Sequence, residues 1–403
     1  VRRLFKSRSF SFSFSQAVFS LSNFLLNLVL LRGLSPAEFG SASLALTFVY
    51  FVVAFQRSLV GDMMIVFASR SVSVAVSGVM VVAGVAAFAS VGMTVAWALM
   101  PASIPIYLPL MAGLIVLQDG LRYAVASSGT AADLLRGDAV WIASSLAAAW
   151  LAVTGVQDTG TTILVWSVGA SVTALLLLVQ VRRASNGVDR RVGFFRFTGS
   201  LGLWNSGQFL VSNGTIQAAL TATAIAVGSQ DFAGYRAMQI LLGPLLTAVL
   251  AFASPLLLWI SKQGTDDWTA KHAVIGGGVL AVLMGAAGLV VLAASHSLIL
   301  LVSGREYIQY SPLLLPGLVA LVFVAANVPI ASTFTSLGKG RVFFVTSVAV
   351  TVPASLVVVF SAYAVGIECA AWATAAQYGL IAGVCAYVLV RIHPSRPRDV
   401  DPR

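Results

Sequence analysis

Apolar runs of about 20 residues recur along the whole chain, and only short polar connections separate them. A run of that length crosses the hydrocarbon core of a bilayer as a helix. In lipid every backbone polar group must be satisfied within its own segment or in a closed barrel. The barrel signature, alternation over about 10 residues, is missing. Hydrophobic residues make up 59% of the sequence and charged residues 9%, against about 25% charged in an ordinary soluble domain. A soluble core could not absorb that much apolar surface. The sequence therefore reads as an all-α polytopic membrane protein.

Twelve spans are expected, near 11–31, 41–66, 74–98, 105–127, 139–156, 161–181, 200–227, 234–260, 272–294, 312–334, 342–364 and 369–390. The first run follows Arg2, Arg3, Lys6 and Arg8 and continues to Leu31. It is too long for the core of a cleaved leader and is read as a retained helix. Cys369 and Cys385 fall on one predicted helix, roughly 24 Å apart, and cannot bridge each other.

The net charge of +10 could suggest nucleic acid, but its distribution points elsewhere. With the N-terminus placed in the cytoplasm, 19 of the 24 Lys and Arg residues fall in cytoplasmic segments. Arg32 and Arg305 fall outside, and Arg57, Arg122 and Arg236 fall within spans. That is the positive-inside bias. It predicts both termini in the cytoplasm and excludes nucleic acid as a partner. Arginine outnumbers lysine and alanine is abundant, which fits a GC-rich bacterial source and hence the bacterial cytoplasmic (inner) membrane.

The chain also repeats itself at a shift of about 200 residues. Ser22-Asn23 and Asn27 in span one match Ser212-Asn213 and Gln217 in span seven. Tyr107-Leu108-Pro109 matches Tyr310-Ser311-Pro312, and Arg136 matches Arg341. Six spans per repeat give both halves the same orientation, as in transporters built from parallel repeats. The expected organisation is an N-terminal six-helix lobe over 1–181, a basic cytoplasmic linker over 182–199, a C-terminal six-helix lobe over 200–390 and a basic tail over 391–403.

Three motifs carry a resemblance. They are Arg32-Gly33-Leu34-Ser35-Pro36-Ala37-Glu38-Phe39-Gly40, Gly234-Tyr235-Arg236-Ala237, and Ser303-Gly304-Arg305-Glu306-Tyr307 with Leu337-Gly338-Lys339-Gly340-Arg341. With them the chain resembles the multidrug/oligosaccharidyl-lipid/polysaccharide exporter superfamily, and most closely its Wzx-type polysaccharide flippases. The resemblance covers nearly the whole chain, diffusely. It implies two six-helix lobes in a V around a central cavity, alternating access, and translocation of polyprenyl-diphosphate-linked saccharide units. Implied partners are the lipid-linked saccharide, membrane lipids, H+ or Na+ as coupling ion, and polysaccharide assembly proteins. No cofactor is implied.

Charged and amide side chains inside spans are expensive and mark sites. Span two carries Gln56, Arg57 and Asp62. Five residues of α-helix turn by about 140°, so Arg57 and Asp62 are not expected to face each other. Span four carries Gln118, Asp119 and Arg122, with the last two spaced to pair on one face. Gln16, Ser20, Asn23 and Asn27 form one helical stripe in span one. Asn213 and Gln217 sit with Asn205, Gln208 and Ser212 in span seven, and Arg236 opens span eight. The functional reading gives Arg57 and Arg122 to an anionic head and the amides to sugar hydroxyls, since an amide both donates and accepts. The structural readings are ion pairing, snorkelling at the interface and helix–helix hydrogen bonding. Pro244, Pro255 and Pro329 are expected to kink their helices.

Two other functions stay open. A cation-coupled multidrug exporter of the same fold would use acidic residues deep in the first lobe, as Asp62 and Asp119 could provide. A membrane-embedded glycan polymerase or ligase would need a larger external loop than 295–311. His272, His296 and His393 lack a motif, and no phosphate-binding loop, metal cluster or nucleophile–base pair appears. The expected activity is transport, not catalysis.

Overall fold

The structure is a computed structural model that describes residues 8–68, 72–99, 108–128, 131–154, 159–184, 194–263 and 270–392. Most of the expected linker and tail therefore lies outside the described residues. Among the described residues there is helix and connecting turn but no strand. The helices are α1 (Arg8–Gly33), α2 (Pro36–Gln56), α3 (Asp62–Ala68), α4 (Val72–Leu99), α5 (Leu108–Ser128), α6 (Ala131–Val153) and α7 (Thr159–Ala184). They continue as α8 (Phe194–Val227), α9 (Ser229–Gln263), α10 (Ala270–Ala293), the short α11 (Ser295–Val302), α12 (Leu314–Ser336), α13 (Gly340–Ala364) and α14 (Ile367–Ile392).

A π-helical turn, Arg57–Gly61, joins α2 to α3 and makes them one span. A 3-10 helix, Arg305–Leu313, leads into α12. Among the described residues, ten helical stretches are long and apolar enough to cross a membrane. Helices α5 and α6 are more polar, because they carry Gln118, Asp119 and Arg122, and Asp133, Arg136 and Asp138. The structure is thus an all-α polytopic membrane protein.

Local signals set the helix ends. Ser35 caps α2, and the Ser35 and Glu38 side chains reciprocally satisfy each other's backbone N–H, with Pro36 in the first turn. Gly228 has φ 84°, so α8 reverses into α9 through a single residue, and Val365 with Gly366 at φ 115° makes the turn between α13 and α14. That left-handed region favours glycine.

Helix pairing repeats between the two halves of the chain. In the first, α1 packs on α6, α2 and α3 on α5, α4 on α5, α5 on α7, and α6 on α7. In the second, α8 packs on α13, α9 on α12, α10 on α12, α12 on α14, and α13 on α14. Counted by span, both halves follow one scheme: first on fifth, second on fourth, third on fourth, fourth on sixth, fifth on sixth. Contacts across the seam exchange in the same way, with α1 against α9 and the α2–α3 span against α8.

A buried cluster crosses the seam. Phe19, Phe39, Trp141 and Trp166 belong to the first half, and Phe232, Tyr235, Met238 and Tyr307 to the second. The Trp141 and Trp166 rings lie 4.9 Å apart. Large apolar side chains such as Met80, Phe88, Ile225 and Phe360 point outward, as a lipid-facing surface requires. Helical geometry continues through Pro244, Pro255 and Pro329. The irregularity in the middle of a span falls instead at Arg57–Gly61, where no proline signalled it.

Candidate functional site

Two polar centres occupy the interior. The first lies within the first half. Arg57 donates from Nε and Nη2 to the two oxygens of Asp119, at 2.8 and 2.7 Å. This is the fork-to-carboxylate geometry that makes such pairs strong. Arg122 donates to Asp119 at 3.1 Å, to Asp138 at 3.2 Å and to the Ser15 hydroxyl at 2.6 Å. The side chains of Asp119 and Arg122 are fully buried, and that of Arg57 is 25% exposed. Both guanidinium groups lie over the Phe19 ring, 4.9 and 4.6 Å from its centroid. The expected Asp119–Arg122 pair is present. Arg122, however, is closed off, with its donors spent on α5, α6 and α1.

The π-helical turn corrects the expectation for Arg57 and Asp62. The Asp62 N–H donates to the Arg57 carbonyl, a five-residue step, so the two residues stack one wide turn apart. Asp62 acts electrostatically on Arg57 together with Asp119. Asp119 and Asp138 thus pair with the two guanidinium groups, and Asp62 follows Arg57 one wide turn along the span. Next to Arg57, the Ser58 hydroxyl donates to the Asn205 carbonyl of α8 at 3.1 Å, and Phe51 and Phe55 meet Phe209. The turn that carries the ion pairs is therefore itself part of the seam. Gln56 and Gln118 are fully buried, and their amides find no hydrogen-bond partner among the described residues.

The second centre straddles the seam between α1, α2 and α9. Asn27 donates to the Tyr50 hydroxyl at 3.2 Å and to the Asn23 carbonyl at 2.8 Å. Tyr50 lies within electrostatic reach of Arg236. Arg236 donates through Nη1 to Gln239 at 2.7 Å. No carboxylate pairs with Arg236 among the described residues. Its Nε and the Oδ1 atoms of Asn23 and Asn27 are buried without a hydrogen-bond partner. Arg236 is seven residues past the start of α9, roughly 10 Å into the helix. It therefore sits below the helix end, not at its rim.

The remaining amides line α8. Gln208 donates weakly to Ser212 and to Ser347 of α13, at 3.3 and 3.4 Å. The Gln217 Oε1 is buried without a partner, and Asn213 is partly exposed. Asn23 and Asn213, the matched pair of the sequence repeat, both lie on the first helix of their halves. Tyr50 and Gln239 were not singled out in the sequence. Gln239 lies three residues along α9 from Arg236, a spacing that shares one face, whereas a tyrosine in an apolar span has no periodic signature and only the seam brings Tyr50 near.

Neither a protein-family model nor a curated protein matches the chain. Solved structures do match it, over nearly its whole length. One is a MOP superfamily transporter from Pyrococcus furiosus, whose reverse polarity of binding pocket suggests a different function. It is 15% identical, the match covers 97% of each chain, and the TM-score is 0.65. Another is a multidrug resistance MATE family transporter of the MOP superfamily in an inward-facing conformation, 15% identical, covering 93% of this chain and 94% of the other at TM-score 0.66. An outward-facing multidrug resistance MATE family transporter is 14% identical and matches over 97% and 96% at TM-score 0.62. The fold of this chain is that of the MATE-type transporters of the MOP superfamily.

Proposed function

We propose that the chain is an alternating-access exporter that carries an anionic, lipid-linked saccharide across the bacterial cytoplasmic membrane, with the charged head held at Arg236. The observation that supports this reading is the uncompensated cation at the seam. Arg57 and Arg122 are neutralised by carboxylates, whereas Arg236 faces amides and a phenol. A diphosphate head carries about two negative charges. One guanidinium at about 4 Å offers roughly 4 kcal/mol at an effective dielectric of about 20. The Asn23, Asn27 and Gln239 amides suit the hydroxyls of an attached sugar.

A cationic drug would be repelled at this centre. Pocket polarity is also the feature tied to function in the Pyrococcus furiosus transporter of the same fold. The reading places both termini and the basic segments 182–199 and 391–403 in the cytoplasm, and it takes 1–181 and 200–390 as the moving lobes.

Coupling to an ion is supported by the first centre. Asp62, Asp119 and Asp138 outnumber Arg57 and Arg122 by one charge. No carboxylate cluster of metal-ligand type forms among the described residues, which favours a proton over Na+. Transport without catalysis is the reading for the whole chain. The deciding measurement is the outer-face accessibility of the lipid-linked sugar in cells that carry Arg236→Ala, with membrane expression checked in parallel. Loss of accessible sugar is expected, with partial return in Arg236→Lys. Undiminished flipping in a well-expressed Arg236→Ala protein would remove the basis for this reading.

A further inference from the structure

A second polar site lies at the end of the bundle where α1 turns into α2 and α8 turns into α9. It is a cavity of about 310 Å³ lined by Pro36, Gln230, Arg305, Glu306, Tyr307, Gln309 and Tyr310. That volume is in the range of small-molecule sites. The lining is built, not incidental. Tyr310 donates to Asp231 at 2.8 Å, and its ring packs so tightly on Gly234 that a Cβ there would collide with it. The Tyr307 and Tyr310 rings are 6.4 Å apart and tilted by 48°. The Tyr307 side chain is 1% exposed, yet its hydroxyl has no hydrogen-bond partner among the described residues. A buried hydroxyl without a partner costs free energy. The residue itself lines the cavity, whose other walls include two amides, a carboxylate, a guanidinium and the Tyr310 ring.

We propose that this cavity is a saccharide-binding site. The partly exposed Tyr310 ring presents a flat apolar face to the C–H side of a sugar ring. Amide, carboxylate, guanidinium and hydroxyl groups together offer donors and acceptors in the alternation that sugar hydroxyls need. Pro36 belongs to the first half of the chain and the other lining residues to the second, so a bound sugar bridges the seam and favours closure of this end. The seam is close here: a Cβ on Gly40 would lie 2.7 Å from the Ser229 carbonyl oxygen, and Arg32 donates to the Leu301 and Val302 carbonyls. The site rests on the exporter reading only for why a saccharide reaches this end. It requires neither Arg236 nor a diphosphate.

The test uses the full chain in lipid nanodiscs, probed with an array of free oligosaccharides and, separately, with a lipid-linked oligosaccharide placed in the same bilayer. Retention of free sugar marks a site for the saccharide alone, and retention only of the lipid-linked form marks a site for the departing substrate. Either outcome supports the proposal if Gln230→Ala and Gln309→Ala each weaken retention by about five- to tenfold. Both side chains are exposed cavity walls, so the fold should be intact in each variant. Arg236→Ala should retain the free oligosaccharide fully even where it abolishes transport, which separates this site from the transport centre. No saccharide retained in either format, or retention unchanged in both variants, overturns the proposal.

Discussion

The interior arginines divide by what faces them. Arg57 and Arg122 sit within one half, forked onto Asp119 and Asp138 and stacked on Phe19. Arg236 has the Gln239 amide on its own helix, the Tyr50 phenol across the seam and, among the described residues, no carboxylate partner. In a medium where a bare charge is expensive, the first arrangement is self-contained and the second is incomplete. A self-contained pair fixes helices relative to one another, whereas an incomplete one can take an anion. On the proposed reading, the first centre serves structure and coupling and the second serves the substrate.

The largest effect should come from Asp119→Ala. It strands the Arg57 guanidinium and leaves the buried Arg122 with Asp138 as its one carboxylate partner, and breaking one side of a buried pair costs about 3–5 kcal/mol. Thermal unfolding of the detergent-purified protein should show a lower midpoint, or the protein should fail to accumulate as a monodisperse species. Wild-type stability in Asp119→Ala would erase the distinction between the two centres. The converse substitution, Arg236→Ala, removes no ion pair. Its stability should stay within about 0.5 kcal/mol of wild type, while outer-face saccharide falls by tenfold or more, as the loss of about 1.4 kcal/mol or more would give. A stability loss in Arg236→Ala as large as that of Asp119→Ala would make Arg236 a structural residue too.

The apolar run lengths alone were enough to predict an all-α membrane fold, because lipid leaves few alternatives. The matched residues at a shift of about 200 suggested two lobes, and separately the helix pairings follow one scheme in both halves of the chain. The pairing of Asp119 with Arg122 was also legible, because a three-residue spacing fixes a shared face. The Arg57–Asp62 relation was not. It depends on one extra residue per turn in the π-helical segment, which no propensity in Arg57-Ser58-Leu59-Val60-Gly61 announces. The isolation of Arg236 was equally hidden, since which carboxylates approach a cation is decided by packing between spans far apart in sequence. Arg122 shows the same limit from the other side: its type and position suit an anion, but burial against α1 and α6 has already satisfied it.

The seam offers a third, smaller test. The first centre lies within one half and the second across both, so prying the halves apart should separate them. Gly40→Leu forces a side chain against the Ser229 carbonyl, and overpacking of this kind costs about 1–3 kcal/mol. Electron–electron distance measurements between spin labels at Ser35 and Gln230 should lengthen or broaden. Transport should fall while the unfolding signature of the Asp119 network persists. An unchanged distance distribution would show that this contact does not hold the seam.

The smallest effect is expected at the start of α2, where the chain enters the seam. Ser35 caps the helix and accepts from the Glu38 N–H, while the Glu38 carboxylate accepts from the Ser35 hydroxyl and N–H at 2.7 and 3.0 Å. Losing a Ser cap costs about 1 kcal/mol, and Ser35→Ala should show this as faster hydrogen exchange in the first turn of α2. The effect should also depend on pH. The hydrogen bonds from Ser35 hold the Glu38 carboxyl below the usual carboxylate range. A carboxyl whose folded value is lowered contributes its full stability above the unfolded value of about 4.3 and loses it as pH falls through the lowered folded value. The exchange difference between wild type and Ser35→Ala should be constant from neutral pH down to about 5 and shrink in the acid range below about 4.3. Both arginine centres should be indifferent to the substitution, because the cap touches neither. A Ser35→Ala protein with altered transport at neutral pH would show that the α2 entrance is coupled to Arg236 through the seam, and the boundary between a structural and a substrate centre would have to be drawn further out.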